Sequence, residues 1–187
     1  AFGSRYSLRY QRLLRENADA FGYGRVEALV PTLQGRVYLN RFSAADKQIT
    51  VVLNARPYPV GGPLVELALR KGRHCVDLLR GVELKPERQG QRWVVGERLE
   101  SSDIAVLADL PLLAQARVEG TRIHVTLPCL MPNLQVVLSD LDNQCLDEAP
   151  GAATVTLTAP EEAAKGPLVV KLFRGKYLAD LIPVPQQ

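Results

Sequence analysis

The sequence predicts an all-β protein, two antiparallel β-sandwich domains preceded by one N-terminal amphipathic α-helix. Three observations lead there. Apolar residues recur at helical spacing only near the start, and from Gln34 onward they alternate with polar ones at period two. The alternating runs are short and punctuated by Gly and Pro, with no helical stretch between them, which argues against a βαβ sheet. The 187 residues are long for one small sandwich and comfortable for two.

The helix is predicted over Tyr6 to Phe21. Tyr6, Tyr10, Leu13, Leu14, Asn17 and Phe21 form one stripe at helical period, while Arg5, Arg9, Arg12 and Arg15 occupy other faces. Ser4 suits the N-cap, and Gly22 and Gly24 supply the stop. A stripe with two tyrosines and a phenylalanine needs a cover, either the first sandwich or a domain upstream. The opening Ala1-Phe2-Gly3-Ser4-Arg5 reads as the interior of a longer protein.

The first sandwich is expected over residues 34–109, after a helix and connector over 1–33. Arg36–Phe42 and Gln48–Asn54 alternate on either side of a polar turn, Ser43 to Lys47, as an antiparallel hairpin does. Further strands are predicted at Leu64–Leu69, His74–Leu78, Arg92–Val95 and Ile104–Leu107, separated by Gly61-Gly62-Pro63, Gly72, Gly81, Gly90 and Gly96. The pattern restarts after Leu110-Pro111, giving a second sandwich over 110–187. Ala114–Glu119 and Arg122–Leu127 flank a two-residue turn, Gly120-Thr121. Gln135–Ser139, Thr154–Thr158, Pro167–Phe173 and Tyr177–Ile182 follow, the last two joined through Arg174-Gly175-Lys176. That strand count suits an immunoglobulin-like or fibronectin-like sandwich.

Composition narrows the function. A hydrophobic content of 47% with 23% charged residues is that of a globular chain. The net charge is +3 and the arginines are scattered singly (Arg25, Arg36, Arg41, Arg56), so no nucleic-acid partner is expected. No apolar run approaches the length of a membrane span, so no membrane insertion is expected. Cys75, Cys129 and Cys145 lack the paired spacing of a zinc site, with only His74 and His124 to help, and no metal or other cofactor is expected. Cys129 and Cys145 either pair across neighbouring strands or stay free. Buried free thiols acting as small hydrophobes are the expected state.

No catalytic constellation stands out. A Gly-x-Ser-x-Gly elbow is absent, and the two histidines fall in different predicted sandwiches. His74 and Cys75 are adjacent on one strand, so their side chains point to opposite faces. His124 lies opposite Ile123 and Val125, on the solvent side. Among Glu66, Asp77, Glu97, Glu100 and Asp103, nothing marks two as the carboxylate pair of a glycosidase, and Glu97 to Asp103 reads as a polar loop. Gly61-Gly62-Pro63 lacks the Lys-Ser/Thr and helix of a phosphate-binding loop.

Sugar binding has some support, because sugar rings stack on exposed aromatic faces while polar groups at the rim hold the hydroxyls. The candidates are Trp93, Tyr38 and Tyr58, with Arg56 and Asp77, and Asn40 and Asn54 nearby in the pattern. Trp93 sits beside Val94-Val95 in a strand, where core placement is the default.

The runs Ala18-Asp19-Ala20-Phe21, Leu29-Val30-Pro31-Thr32-Leu33, Val37-Tyr38-Leu39-Asn40-Arg41-Phe42 and Leu53-Asn54-Ala55-Arg56-Pro57 carry a resemblance. Their order resembles the junction between a catalytic (β/α) barrel and its C-terminal β-sandwich in bacterial glycoside-hydrolase-like proteins. Asp77-Leu78-Leu79-Arg80-Gly81-Val82-Glu83-Leu84 also resembles a strand and turn of such domains. The resemblance spans about residues 6–109; residues 110–187 resemble immunoglobulin-like or fibronectin-like accessory domains in pattern only. It implies a non-catalytic tail that packs on an upstream catalytic domain and stabilises it or binds polysaccharide. The alternative is a protein-interaction or adhesion module of a cell-surface protein. As the last barrel helix, Tyr6–Phe21 would pack on that domain; in its absence the helix is expected to fold back or to mediate a dimer. The family's catalytic carboxylates would lie in the barrel, and none maps onto this chain.

Overall fold

The computed structural model describes residues 4–67 and 70–185, with the side chains of residues 4–7 and 92 outside that description. Strands dominate and helices are few and mostly short. The chain divides into two compact units. One comprises residues 19–78 and 83–110; the other comprises residues 4–18, 79–82 and 111–185. They are called the first and second β units below.

The predicted single helix is two, α1 (Ser4–Glu16) and α2 (Ala18–Phe21). The break falls at Asn17, whose backbone and side-chain N–H groups both donate to the Leu13 carbonyl, at 3.2 and 2.9 Å. An Asn side chain that competes for helix carbonyls in this way favours termination over continuation. The side chains of Ser4, the expected cap, and of Tyr6 lie outside the description.

The first β unit contains β1 (Arg25–Glu27), β2 (Val37–Ser43), β3 (Gln48–Asn54), β4 (Pro63–Leu67), β5 (Arg73–Asp77), β6 (Val82–Leu84), β7 (Glu87–Gln89), β8 (Arg92–Gly96) and β9 (Ile104–Pro111). Six of them form a sheet in the order β1-β2-β3-β9-β5-β6, and three form another, β4-β8-β7. The predicted hairpin is β2 and β3, in the register Val37↔Asn54 to Ser43↔Gln48. The end of the expected strand Leu64–Leu69 lies partly outside the described residues. Inward-facing Val37, Leu39, Val52, Ala105, Leu107 and Cys75 of the larger sheet pack with Val65, Leu67 and Val95 of the smaller. On the other face of the larger sheet, Phe21 of α2 sits edge-on to Phe42 at 4.9 Å. Nearby, buried Lys47 is paired with Asp19 at 2.8 Å.

The second β unit contains β10 (Gln115–Glu119), β11 (Arg122–Thr126), β12 (Leu134–Asp140), β13 (Cys145–Pro150), β14 (Thr154–Thr158), α3 (Glu161–Ala164), β15 (Leu168–Arg174) and β16 (Tyr177–Pro183). A three-stranded sheet, β10-β11-β14, faces a four-stranded one, β13-β12-β15-β16, across a core that includes Ile123, Val125, Leu157, Val136, Leu138, Val170 and Leu172. Gly120 opens the predicted two-residue turn and Gly175 opens the last hairpin turn, which is Gly175-Lys176 because Arg174 pairs with Tyr177; their φ values are 60° and 63°, a conformation that glycine adopts without a Cβ penalty.

α1 belongs to this second unit, not to the first sandwich that the sequence offered as its cover. Lys171 faces away from the core on β15 yet is only 3% exposed. Its ammonium lies 2.8 and 2.7 Å from the two carboxylate oxygens of Glu16, and Asn143 Oδ1 accepts from it as well. Arg12 donates to the carbonyls of Asp142 and Asn143 in the β12–β13 turn. The expected apolar stripe is therefore split. Leu13 and Asn17 are buried, whereas Tyr10 and Leu14 remain exposed, as does Leu8, which lies off the stripe. Gly81 also lies close to this unit's sheet, where a Cβ would stand 2.5 Å from Leu141 Cδ2 and 2.8 Å from Val169 Cγ1.

Candidate functional site

The sugar-site candidates all fall in the first β unit, but they do not form one cluster. Asp77 is fully buried on β5 and presents nothing to a ligand. Arg56 and Tyr58 lie in the loop after β3, the guanidinium 5.7 Å from the ring centroid of the exposed tyrosine. That loop is fixed by buried Asn54, whose amide donates to the carbonyls of Tyr58 and Glu100 at 3.0 and 2.8 Å and accepts from Arg56 N–H at 3.0 Å. Arg56 Nε is further held by the Gly35 carbonyl at 2.8 Å. Tyr38 stands on the outer face of the larger sheet beside its cross-strand partner Leu53, both exposed.

Trp93 departs from its expected place in the core: it is 39% exposed. The pairing explains why. Trp93 lies opposite Leu67 and two residues from buried Val95, so it faces inward as a core residue should. Across from it, however, the inward row of the larger sheet changes character. Leu39 and Val52 give way to Arg41 and Thr50, then to Ser43 and Gln48. The sheets part over these polar residues and leave an open cleft of about 840 Å³. Val30, Pro31, Leu33 and Leu67 supply its apolar lining, and Arg41, Gln48, Glu66, Arg70 and Gln91 supply polar groups around the indole. Tyr38, Arg56, Tyr58 and Asp77 do not line it.

Local structure sets up each wall. Thr32 Oγ1 lies within hydrogen-bonding distance of the Gln34 and Val37 carbonyls, at 2.7 and 2.9 Å, and Leu33 N–H donates to the Leu64 carbonyl, so the connector closes one side. Leu29, at the start of that connector, holds a left-handed φ of 52° while its N–H donates to Asn40 Oδ1 at 3.0 Å. Arg41 is tethered by Glu27 on the neighbouring strand at 3.4 Å. The sequence named the indole but missed Arg41, Gln48, Glu66, Arg70 and Gln91 as its surroundings. Arg41 and Gln48 carried a readable signal: polar residues at the inward parity of otherwise apolar strands.

The groups with nucleophilic or acid–base potential sit elsewhere. Cys75 is buried in the first unit's core, and burial, with Asp109 and Asp77 next in effect, pushes its thiol up to about 12. A thiol held there supplies almost no thiolate at neutral pH. Its neighbour His74 is buried with Nδ1 3.4 Å from Glu83. His124 lies on the outer face of the second unit's three-stranded sheet, Nδ1 3.1 Å from Thr156 Oγ1 and Nε2 3.3 Å from Glu119. Cys129 and Cys145 are free and exposed, not buried as expected, because one lies in the β11–β12 loop and the other on the edge strand β13. No group of three or more His, Cys, Asp or Glu side chains suited to a metal ion occurs among the described residues.

No family model matches the chain, and no curated protein does. Among solved structures it is similar to the crystal structure of gamma-CGTase from alkalophilic Bacillus clarkii, at 15% sequence identity and a TM-score of 0.40. That match covers 100% of this chain and 30% of the other, so the chain spans less than a third of that protein's length. A likeness at this level assigns no site or activity.

Proposed function

We propose that this chain is a non-catalytic accessory region of a larger carbohydrate-active enzyme, and that its first β unit holds a glycan in the Trp93 cleft. The observation that carries this reading is an inward-facing indole left open to solvent in a cleft with an apolar lining and a rim of guanidinium, carboxylate and amide groups. That is the composition a sugar-binding site requires: a flat apolar face for the ring and fixed polar groups for the hydroxyls. The exposed Leu8 and Leu14 of α1 offer an apolar side for the catalytic domain, and the strand orders of the second unit suit a fibronectin-like accessory module.

Trp93 is the chain's single tryptophan, so its fluorescence reports on the cleft without labelling. Titration with a panel of soluble polysaccharides is expected to shift or quench the emission saturably for at least one of them. Trp93→Ala is expected to abolish binding of the same glycan by isothermal calorimetry while the far-UV spectrum is unchanged. A panel without a binder, or undiminished binding by the Ala variant, refutes the sugar-binding reading.

A second reading rests on a different surface. Tyr38 and Leu53 form an exposed cross-strand pair on a sheet face, with exposed Val26 on the edge strand β1 and exposed Leu29 in the connector. That face suits a protein partner. It predicts a protein complex that is indifferent to sugars and to Trp93→Ala, and is lost with Tyr38→Ser.

A further inference from the structure

The polar groups of the cleft also indicate a ligand class, and we infer that the Trp93 cleft takes a carboxylated polysaccharide, a chain of uronic acid residues, in preference to a neutral one; this rests on the sugar-binding reading above. Three charged side chains line the cleft, Arg41, Arg70 and Glu66. Glu66 has an interaction within the protein, and the two guanidiniums outnumber its single carboxylate. The two guanidiniums keep N–H groups that no ion pair among the described residues uses up. Arg41 contacts Glu27 at 3.4 Å through one nitrogen, and its Nε has no hydrogen-bond partner among the described residues. Arg70 follows β4 at the rim and is exposed.

Guanidinium is the side chain best matched to a planar carboxylate, because its parallel N–H groups meet both oxygens and it never loses its charge. Guanidinium N–H groups also donate to neutral hydroxyls, but two of them against one carboxylate leave a positive charge beside the indole that only an anionic sugar neutralises. A uronate ring uses all of the cleft: its apolar face lies on Trp93, its carboxylate faces an arginine, and its hydroxyls meet Gln48 and Gln91. Arg41 is anchored within the sheet, whereas Arg70 is free to approach a ligand.

The test uses the full chain and one polymer in two charge states, polygalacturonate and its fully methyl-esterified form, followed by Trp93 fluorescence and calorimetry. The acid form is expected to bind about tenfold tighter than the ester at low salt, with the preference shrinking as ionic strength screens the pair. Arg70→Gln, a change at an exposed rim residue, is expected to narrow the preference to about threefold or less, consistent with loss of a charge-assisted contact. Equal binding of both forms, or tighter binding of the ester, overturns the uronate inference and leaves the sugar-binding reading standing. Binding only of neutral glycans from the wider panel does the same. No binding of any glycan overturns both.

Discussion

Lys171 and Glu16 allow a sharp stability test, because the two ends of their ion pair differ in burial. The ammonium is almost wholly removed from water, while the Glu16 side chain keeps 21% of its exposure. Glu16→Ala leaves a buried positive charge with Asn143 as its remaining named acceptor. Removing one partner of a buried pair costs about 3–5 kcal/mol, and the residual access of water at Glu16 favours the lower end. Lys171→Met removes the buried charge, keeps the apolar stem and leaves a carboxylate that already has partial access to water. Its cost is expected to be about 1 kcal/mol or less, and the double variant Glu16→Gln/Lys171→Met should be close to it, as with other apolar replacements of buried pairs. For a chain of this length, about 3 kcal/mol corresponds to a fall in Tm of roughly 6–12 °C. Urea denaturation followed by far-UV circular dichroism measures all three. If Lys171→Met costs as much as Glu16→Ala, or if Glu16→Ala costs under about 0.5 kcal/mol, the burial argument is wrong and the pair behaves as a surface salt bridge.

The cysteines and one glycine supply three further tests. With a disulfide-exchange reagent at pH 8, Cys129 and Cys145 should react in the native protein and Cys75 only after unfolding; Cys145 should lag, its thiol pushed up by partial burial and by Glu148 and Asp147. Because the folded Cys75 value of about 12 exceeds the unfolded 9.0, the folded state keeps the proton longer. Its contribution to stability is then complete below pH 9 and lost as pH rises toward 12, so Cys75→Ala should flatten the alkaline limb of the stability curve, and an unchanged limb refutes the assignment. Gly81→Ala combines a left-handed φ of 61° with contacts that a Cβ cannot make without displacing Leu141 and Val169. It should cost about 2–4 kcal/mol in the same urea titration, from backbone strain plus overpacking, and a neutral result would show that this contact is loose.

The sheets were largely legible in the sequence because alternation and turn chemistry are local. The hairpin of β2 and β3 and the glycine turns at Gly120 and Gly175 follow from neighbours a few residues apart. The strands that escaped are those without an alternating apolar face. β7 reads Glu-Arg-Gln, and β13 reads Cys-Leu-Asp-Glu-Ala-Pro, an edge strand held by one partner. The placement of α1 was not legible, because its anchor Lys171 is a lone charge inside the apolar run Val169-Val170-Lys171-Leu172 and looks like a solvated position. Trp93 was half legible. Period two gave its strand, but its exposure depends on Arg41 and Gln48 in the opposite sheet, a relation that only the pairing register reveals.

The grouping of α1 with the C-terminal strands also constrains the order in which the chain matures. Glu16 is separated from Lys171 by 155 positions, and the whole of the first β unit is encoded between them. At ribosomal speeds of about 5–20 residues per second, roughly 8–30 s pass after Glu16 is made before its lysine exists. The first β unit is complete at Leu110 and is free to fold in that interval. Meanwhile the nascent helix carries Leu13 without its eventual cover, a window in which a chaperone or a neighbouring nascent domain competes for it. The last strands then recruit a segment made 155 positions earlier, which makes the second unit the slow, long-range step of folding.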